Sequence, residues 1–458
     1  MRGLWFAALA ILPFGAQAAD DSDLDRIPQA PGEEQQQPAS GNGDKLFLQN
    51  DFELDSVRTP IVAFPPPAPA RWEERLFFDA RVAWQLDRDT SLVYSGRFNL
   101  RAEDRLPFPD HENIRHDLRE AYLDWQPDAD TFFEVGRINL KSGVALGFNP
   151  TDFFKTRAVV EPLSADPSVL REDRLGTLLF MGQRVWEGGA LTLAIAPKLY
   201  EPSPVYRNTN LPGFDPMFDR TNAADRVLAK VSFTLADDLA PELVTYYEGG
   251  RWHFGANLTR AVGQATVLYA EWAGGDRASL AFEALAYGRE TGTIPFFAPP
   301  VIPASSARSF MNDLAIGASY TTGNEITFNL EYHYHEAGFS DADWHNWFGA
   351  GIGAPPVIAA ELWYIRGYAA EQQEPLAQDT LFLRADAQDA FVKDLEITGF
   401  VNEDIRDGSA LVQASADYYI SRDWTVGVLA DATLGGKHSD FGSLPGAASV
   451  LVTVTRYF

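Results

Sequence analysis

The residues of this chain best suited to chemistry are charged or aromatic, and they recur at alternate positions. Glu331, His333 and His335 stand at i, i+2 and i+4 in E-Y-H-Y-H. On a strand that spacing puts all three side chains on one face. Two imidazoles and a carboxylate can hold a metal, but no further ligand stands beside them, and solvated histidines are the expected reading. His253 and His345 have no local partners, so neither a metal nor a cofactor is expected. The chain has no cysteine, which excludes thiolate metal sites, disulfides and cysteine nucleophiles. No G-x-S-x-G, H-E-x-x-H or glycine-rich phosphate loop occurs. The nearest acid–histidine pairing is D-A-D-W-H, Asp341 to His345, in a loop, and no enzyme is expected. A formal net charge of −27 argues against nucleic acid as a partner, because a phosphate backbone needs a basic footprint.

The elements that position these residues read as strands. In Ser91 to Arg101, Leu92, Tyr94, Gly96, Phe98 and Leu100 share one face, and Ser91, Val93, Ser95, Arg97, Asn99 and Arg101 share the other. The same period of two runs through Leu76 to Trp84, Ala121 to Trp125, Arg226 to Leu235 and Ile326 to Tyr334. It predicts about eighteen strands, from a first one at Lys45 to Asp55 to a last one at Ala448 to Phe458. Short turns at Asp87, Gln126, Glu187, Gly323 and Ser421 alternate with mostly long loops. Trp84, Trp125, Trp186, Trp252, Trp272 and Trp424 stand near strand ends, where interfacial aromatic girdles belong. No stretch offers the ~20 apolar residues of a membrane helix. The expected fold class is therefore all-β: an antiparallel transmembrane barrel with apolar faces to lipid, short periplasmic turns and long extracellular loops.

The chain opens M-R-G-L-W-F-A-A-L-A-I-L-P-F-G-A-Q-A, a basic start, a short apolar core and a small-x-small site. That is the pattern of an export signal cleaved near Ala18. Three segments follow from this: a signal at 1–18, a flexible acidic periplasmic leader at 19–43, and the barrel at 44–458.

Function in such a barrel resides in lumen-facing charge and inward-folded loops. The polar faces place Arg81, Arg97, Arg101, Lys198, Lys230 and Arg251 in the lumen, mostly in the N-terminal half. The acidic set is Glu120, Asp124, Asp313, Glu325, Glu331, Asp386, Glu396, Asp417 and Asp431, weighted to the C-terminal half. Either a basic wall faces an acidic one, with a field across the lumen, or the charges pair across strands and stiffen the barrel. On the first reading, exchanging Arg97 and Arg101 for Ala shifts ion selectivity toward cations. The third long loop, Lys141 to Leu170, either folds inward as a constriction or covers the mouth. Folded inward, Asn149, Asp152, Phe153 and Phe154 would pack on the wall, with Lys155 and Arg157 projecting into the pore.

The closing run V-L-V-T-V-T-R-Y-F, through Val450, Val452, Val454 and Phe458, resembles the last strand of Gram-negative outer-membrane proteins. That resemblance implies recognition by the barrel-assembly machinery. R-E-A-Y-L-D-W, F-E-V-G-R-I-N-L and F-N-P-T-D-F-F, between Arg119 and Phe154, resemble a hairpin and loop of porin-like and alginate-export-type barrels. The likeness implies an outer-membrane location, contact with lipid and lipopolysaccharide, and a monomer or a trimer. Three functions stay open: a channel for passive or facilitated diffusion of small polar solutes, an export conduit for a polysaccharide, and a non-conducting surface or adhesin barrel.

Overall fold

The computed structural model describes residues 44–65, 69–104, 114–160, 162–205, 214–236, 239–296, 298–389 and 391–458. The export signal and acidic leader read at 1–43 lie outside the described residues. The first nine strands are β1 (Lys45–Val57), β2 (Trp72–Gln85), β3 (Thr90–Glu103), β4 (Ile114–Asp128), β5 (Thr131–Ile138), β6 (Thr177–Trp186), β7 (Gly189–Ala196), β8 (Arg226–Phe233) and β9 (Glu242–Glu248). The second nine are β10 (Arg251–Val262), β11 (Thr266–Arg277), β12 (Ser309–Thr321), β13 (Ile326–His335), β14 (Asp379–Gln388), β15 (Leu395–Asp404), β16 (Ser409–Ser421), β17 (Trp424–Leu434) and β18 (Gly446–Tyr457).

Neighbours in sequence pair antiparallel, and β1 pairs with β18 as well as with β2, bringing Phe47 opposite Tyr457. The sheet is thus a closed eighteen-strand barrel with no free edge. Its wall has two chemistries. In β3, Leu92 and Phe98 are 39% and 52% exposed, whereas Val93 and Asn99 are 1% and 4% exposed. The inversion recurs round the ring, with Phe78, Leu193, Leu258, Ile316, Leu330 and Val452 all exposed. In water an apolar belt of this extent is an association surface, and in a barrel it is the face that lipid covers. Trp84, Trp125, Trp186 and Trp424 are exposed near the short-turn ends of their strands, and Trp252 is exposed at the other end. Gly136 keeps register with Tyr122 and Leu179, with no bulge, and takes φ +139°. Arg137 is buried, its Nε donating to the Gly176 carbonyl at 2.9 Å and its Nη1 to the Pro216 carbonyl.

One end of the barrel has only short connections: 86–89, 129–130, 187–188, 234–241, 263–265, 322–325, 389–394 and 422–423. The other carries 58–71, 104–113, 139–176, 197–225, 278–308, 336–378 and 435–445, with two short turns, 249–250 and 405–408, among them. The long loops, for which the strand pattern predicts no regular structure, contain helices. These are α1 (Pro167–Glu172), α2 (Phe218–Thr221), α3 (Leu280–Glu290), α4 (Asp341–Gly351) and α5 (Pro356–Gln372). Ser279 caps α3, and Ser340 with Asp343 forms a capping box on α4. That box occupies Asp343 of D-A-D-W-H. Helix α5 buries residues from Ala359 to Ala369 with no polar stripe, so it must be enclosed on all sides.

Candidate functional site

The loop 139–176 leaves β5 and crosses the lumen. Its first anchor is Glu271 on β11, fully buried, whose carboxylate accepts the backbone N–H groups of Val144 (2.8 Å), Ala145 (3.1 Å) and Thr151 (2.6 Å). The Thr151 hydroxyl donates to the same carboxylate at 2.9 Å. The second anchor is Glu331 on β13, also fully buried, which accepts Leu146 N–H (2.7 Å), Gly147 N–H (2.8 Å) and the Tyr269 hydroxyl (2.7 Å). His333 Nε2 lies 2.7 Å from the same carboxylate. Residues 144–147 are in no helix or strand, so their N–H groups lack ladder partners. The two wall carboxylates supply them.

Farther on, Ala165 N–H donates to Gln413 on β16 at 2.8 Å, and Asp166 pairs with Arg384 on β14 at 3.1 Å. The return leg ends at Asp173, bound by Arg97 (3.1 Å) and Arg119 (2.8 Å), both of which also pair with Asp79. β5 and β14 stand nine places apart in a ring of eighteen, so the loop reaches the opposite wall.

The sequence-selected loop residues sit inside the barrel. Asp152 is buried against Arg174 at 2.6 Å. Phe153 stacks on Tyr246 with centroids 4.5 Å apart, and Phe154 meets the same ring edge-on. Asn149 caps the Ala145 carbonyl and itself receives Lys155 Nζ at 2.6 Å on its backbone oxygen. Lys155 also lies 4.5 Å over the Phe148 ring. Among the described residues no carboxylate lies within 4 Å of its ammonium. Burial pushes this ammonium below the ordinary lysine value of 10.5. Arg157 is bound instead, to Glu371 (3.1 Å) and Ser203 (2.8 Å).

The charges assigned to the lumen are mostly paired locally. Arg81 lies 3.7 Å from Glu120, Arg101 pairs with Glu73 and Glu103, Lys230 with Glu242, and Arg251 stands 3.7 Å from Glu283. Lys198 lies past the end of β7 and pairs with Glu201 at 2.9 Å. On the acidic side, Asp124 takes Ser91 (3.5 Å), Asp386 takes Arg384 (3.0 Å) and Thr398, and Glu396 takes the Tyr419 hydroxyl (3.0 Å). Asp431 takes Ser449, and Asp417 stands opposite Glu396 and Gly427 on the ladder. Glu325 is not on the strand face expected for it; it occupies an exposed turn at φ +62°.

The histidines are likewise not solvated. His333 and His335 are buried against Phe148, because the inward loop covers them. His335 Nδ1 lies 2.7 Å from Asp313, and its Nε2 lies 3.6 Å from Glu374. Glu374 also pairs with Arg277 at 3.0 Å. Burial works to raise its carboxyl, but Arg277 and His335 hold it down to about 2. These anchors, Glu271, Glu374, Arg277 and Asp173, escape a reading of strand faces. Their one sequence signal is a charge on an inward position beside apolar residues, as Glu271 stands in L-Y-A-E-W-A.

Between the loop and the wall lies a chamber of about 570 Å³. Phe148, Phe153 and Lys155 of the loop line it, with Arg226 on β8, Tyr246 on β9 and His253 on β10. Arg226 Nη1 is buried there and, among the described residues, has no hydrogen-bond partner. Such a lining, with charges of both signs beside aromatic faces, suits polar solutes.

No family model matches the chain, and no curated protein matches it in sequence. Among solved structures it is similar to OccK5 (OpdH) of Pseudomonas aeruginosa, at 10% identity and TM-score 0.52, over 91% of this chain and 97% of that one. It is also similar to OccK8 (OprE) of Pseudomonas aeruginosa, at 12% identity and TM-score 0.51, over 91% and 98%. At such identities the likeness shows the fold alone: a closed, porin-like eighteen-strand barrel.

Proposed function

We propose, from the porin-like barrel as premise, that the protein is an outer-membrane channel for diffusion of small polar solutes. On this reading an export signal at 1–18 is removed and a leader at 19–43 precedes the barrel at 44–458. The outward Val450, Val452 and Val454, with Phe458, present the closing strand to the barrel-assembly machinery. Lipid and lipopolysaccharide cover the apolar belt.

The observation that carries the reading is the loop 139–176, held across the lumen by Glu271 and Glu331, with a polar chamber beside it. A built constriction has a use in a conducting barrel. An export conduit for a polymer is the weaker reading, because this loop stands where a threading chain would pass. Purified protein reconstituted in planar lipid bilayers is expected to give discrete ohmic current steps. Incorporated barrels that never conduct would overturn the channel and leave a surface role.

A further inference from the structure

The rim that carries the long loops has two low points, the turns 249–250 and 405–408. The second is covered. Arg406 lies 4.8 Å over the Trp344 ring of α4, and Asp407 accepts the backbone N–H of Asp440 at 2.9 Å. The first is open. Gly249 and Gly250 both take positive φ, +54° and +89°, as a two-residue hairpin turn requires. Among the described residues, a Cβ built on either meets no atom within 4 Å. Both glycines line the chamber, and so do Lys198, Asp225, Arg251 and Glu290 on either side of them.

The axial mouth is roofed. Helix α5 has 17 residues and so spans about 25 Å. Near its start, Val62 between β1 and β2 bridges to Ile352. Beyond its far end, Glu374 meets Arg277 at the end of β11, ten places round the ring. Helices α3, α4 and α5 share a core in which Trp344, Trp347 and Trp363 are buried. The roof is tied to the rim through Trp363 Nε1 on the Ala63 carbonyl (3.1 Å) and Arg366 on the Asp440 carbonyl (3.2 Å). A dry aromatic core does not pass a hydrated solute, because stripping its water is too costly.

We propose that solutes reach the chamber through a side port above the β9–β10 turn, rather than along the barrel axis. This rests on the channel reading. The port is low because its hairpin is short, and it is flanked by charges of both signs, Asp225 and Glu290 against Lys198 and Arg251. It therefore admits polar molecules at the level of the barrel rim, beneath the roof.

The chain lacks cysteine, so single cysteines report cleanly. Ala224→Cys and Glu290→Cys place a thiol at the port, and Val357→Cys places one on the exposed start of α5. Each variant is reconstituted in bilayers and treated with a bulky polyethylene-glycol maleimide on the long-loop side. Labelling at either port position is expected to remove most of the single-channel conductance, while labelling at Val357→Cys leaves it intact. Equal or stronger block at Val357→Cys, or undiminished current after both port positions are labelled, would overturn the port. An unlabelled protein that passes no current overturns the channel itself, and the port with it.

Discussion

Replacing Glu271 with Gln tests how the inward loop is held. The carboxylate accepts four donors, Val144 and Ala145 N–H on Oε2 and Thr151 N–H and Oγ1 on Oε1. A glutamine keeps one oxygen and turns an NH₂ group toward the other two donors. Two charge-assisted hydrogen bonds are lost, worth about 3–6 kcal/mol together at about 1.5–3 kcal/mol each. At about 1.4 kcal/mol per decade, the population with the loop detached rises by roughly 10²–10⁴. The barrel ladder is untouched, so heat-modifiable migration on a gel stays as in the parent. Single-channel recording is expected to show a larger conductance, or frequent excursions to a larger level. Gly143→Ala should do the same by another route, since its Cβ would fall 2.6 Å from both Glu271 carboxylate oxygens in a backbone at φ +93°. A Glu271→Gln channel with the parent's conductance and noise would refute the pinning.

Lys155→Met removes a buried cation of the chamber that, among the described residues, has no carboxylate within 4 Å, and reversal potentials in a salt gradient should shift toward cations. In the unaltered protein the same shift should come with alkaline pH, below the ordinary lysine value of 10.5, because the folded ammonium is lowered by burial. Arg97→Ala, by contrast, should raise current noise more than it changes selectivity, since Arg97 is held between Asp79 and Asp173 as a loop anchor. Glu374 has its folded value depressed from 4.5 to about 2, so its tether is complete above about pH 4.5 and is lost as pH falls toward 2. The conductance level should hold from neutral pH to about 4.5 and grow unsteady below it, and a level already unsteady at pH 6 would refute this role.

The barrel was legible in the chain because its signal is local. Side chains alternate with a period of two, so Leu92, Phe98, Phe328 and Val452 announce an apolar face without reference to any other strand. Turn residues mark the hairpins in the same way, and the strand count of eighteen agrees with the structure. The inward loop was legible as a candidate, through its length and the aromatic Phe153 and Phe154.

What those loop residues do was not legible, because their partners lie far away in sequence. Glu271 is 127 residues from Val144, and Arg384 is 218 from Asp166. Strand phase can say that Arg97 faces inward but not that Asp173 waits there, nor that the histidines disappear beneath Phe148. The helices over the mouth were hidden for a related reason: α5 buries residues all round and has no single apolar stripe, so it has no face to read until the loops that enclose it are in place. Sequence alone determined a closed wall with a greasy outside and a polar inside, since that follows from neighbours two residues apart. Only the tertiary structure decided which charges are spent on anchoring and which remain open to the chamber, since a charge's role depends on what the fold sets opposite it.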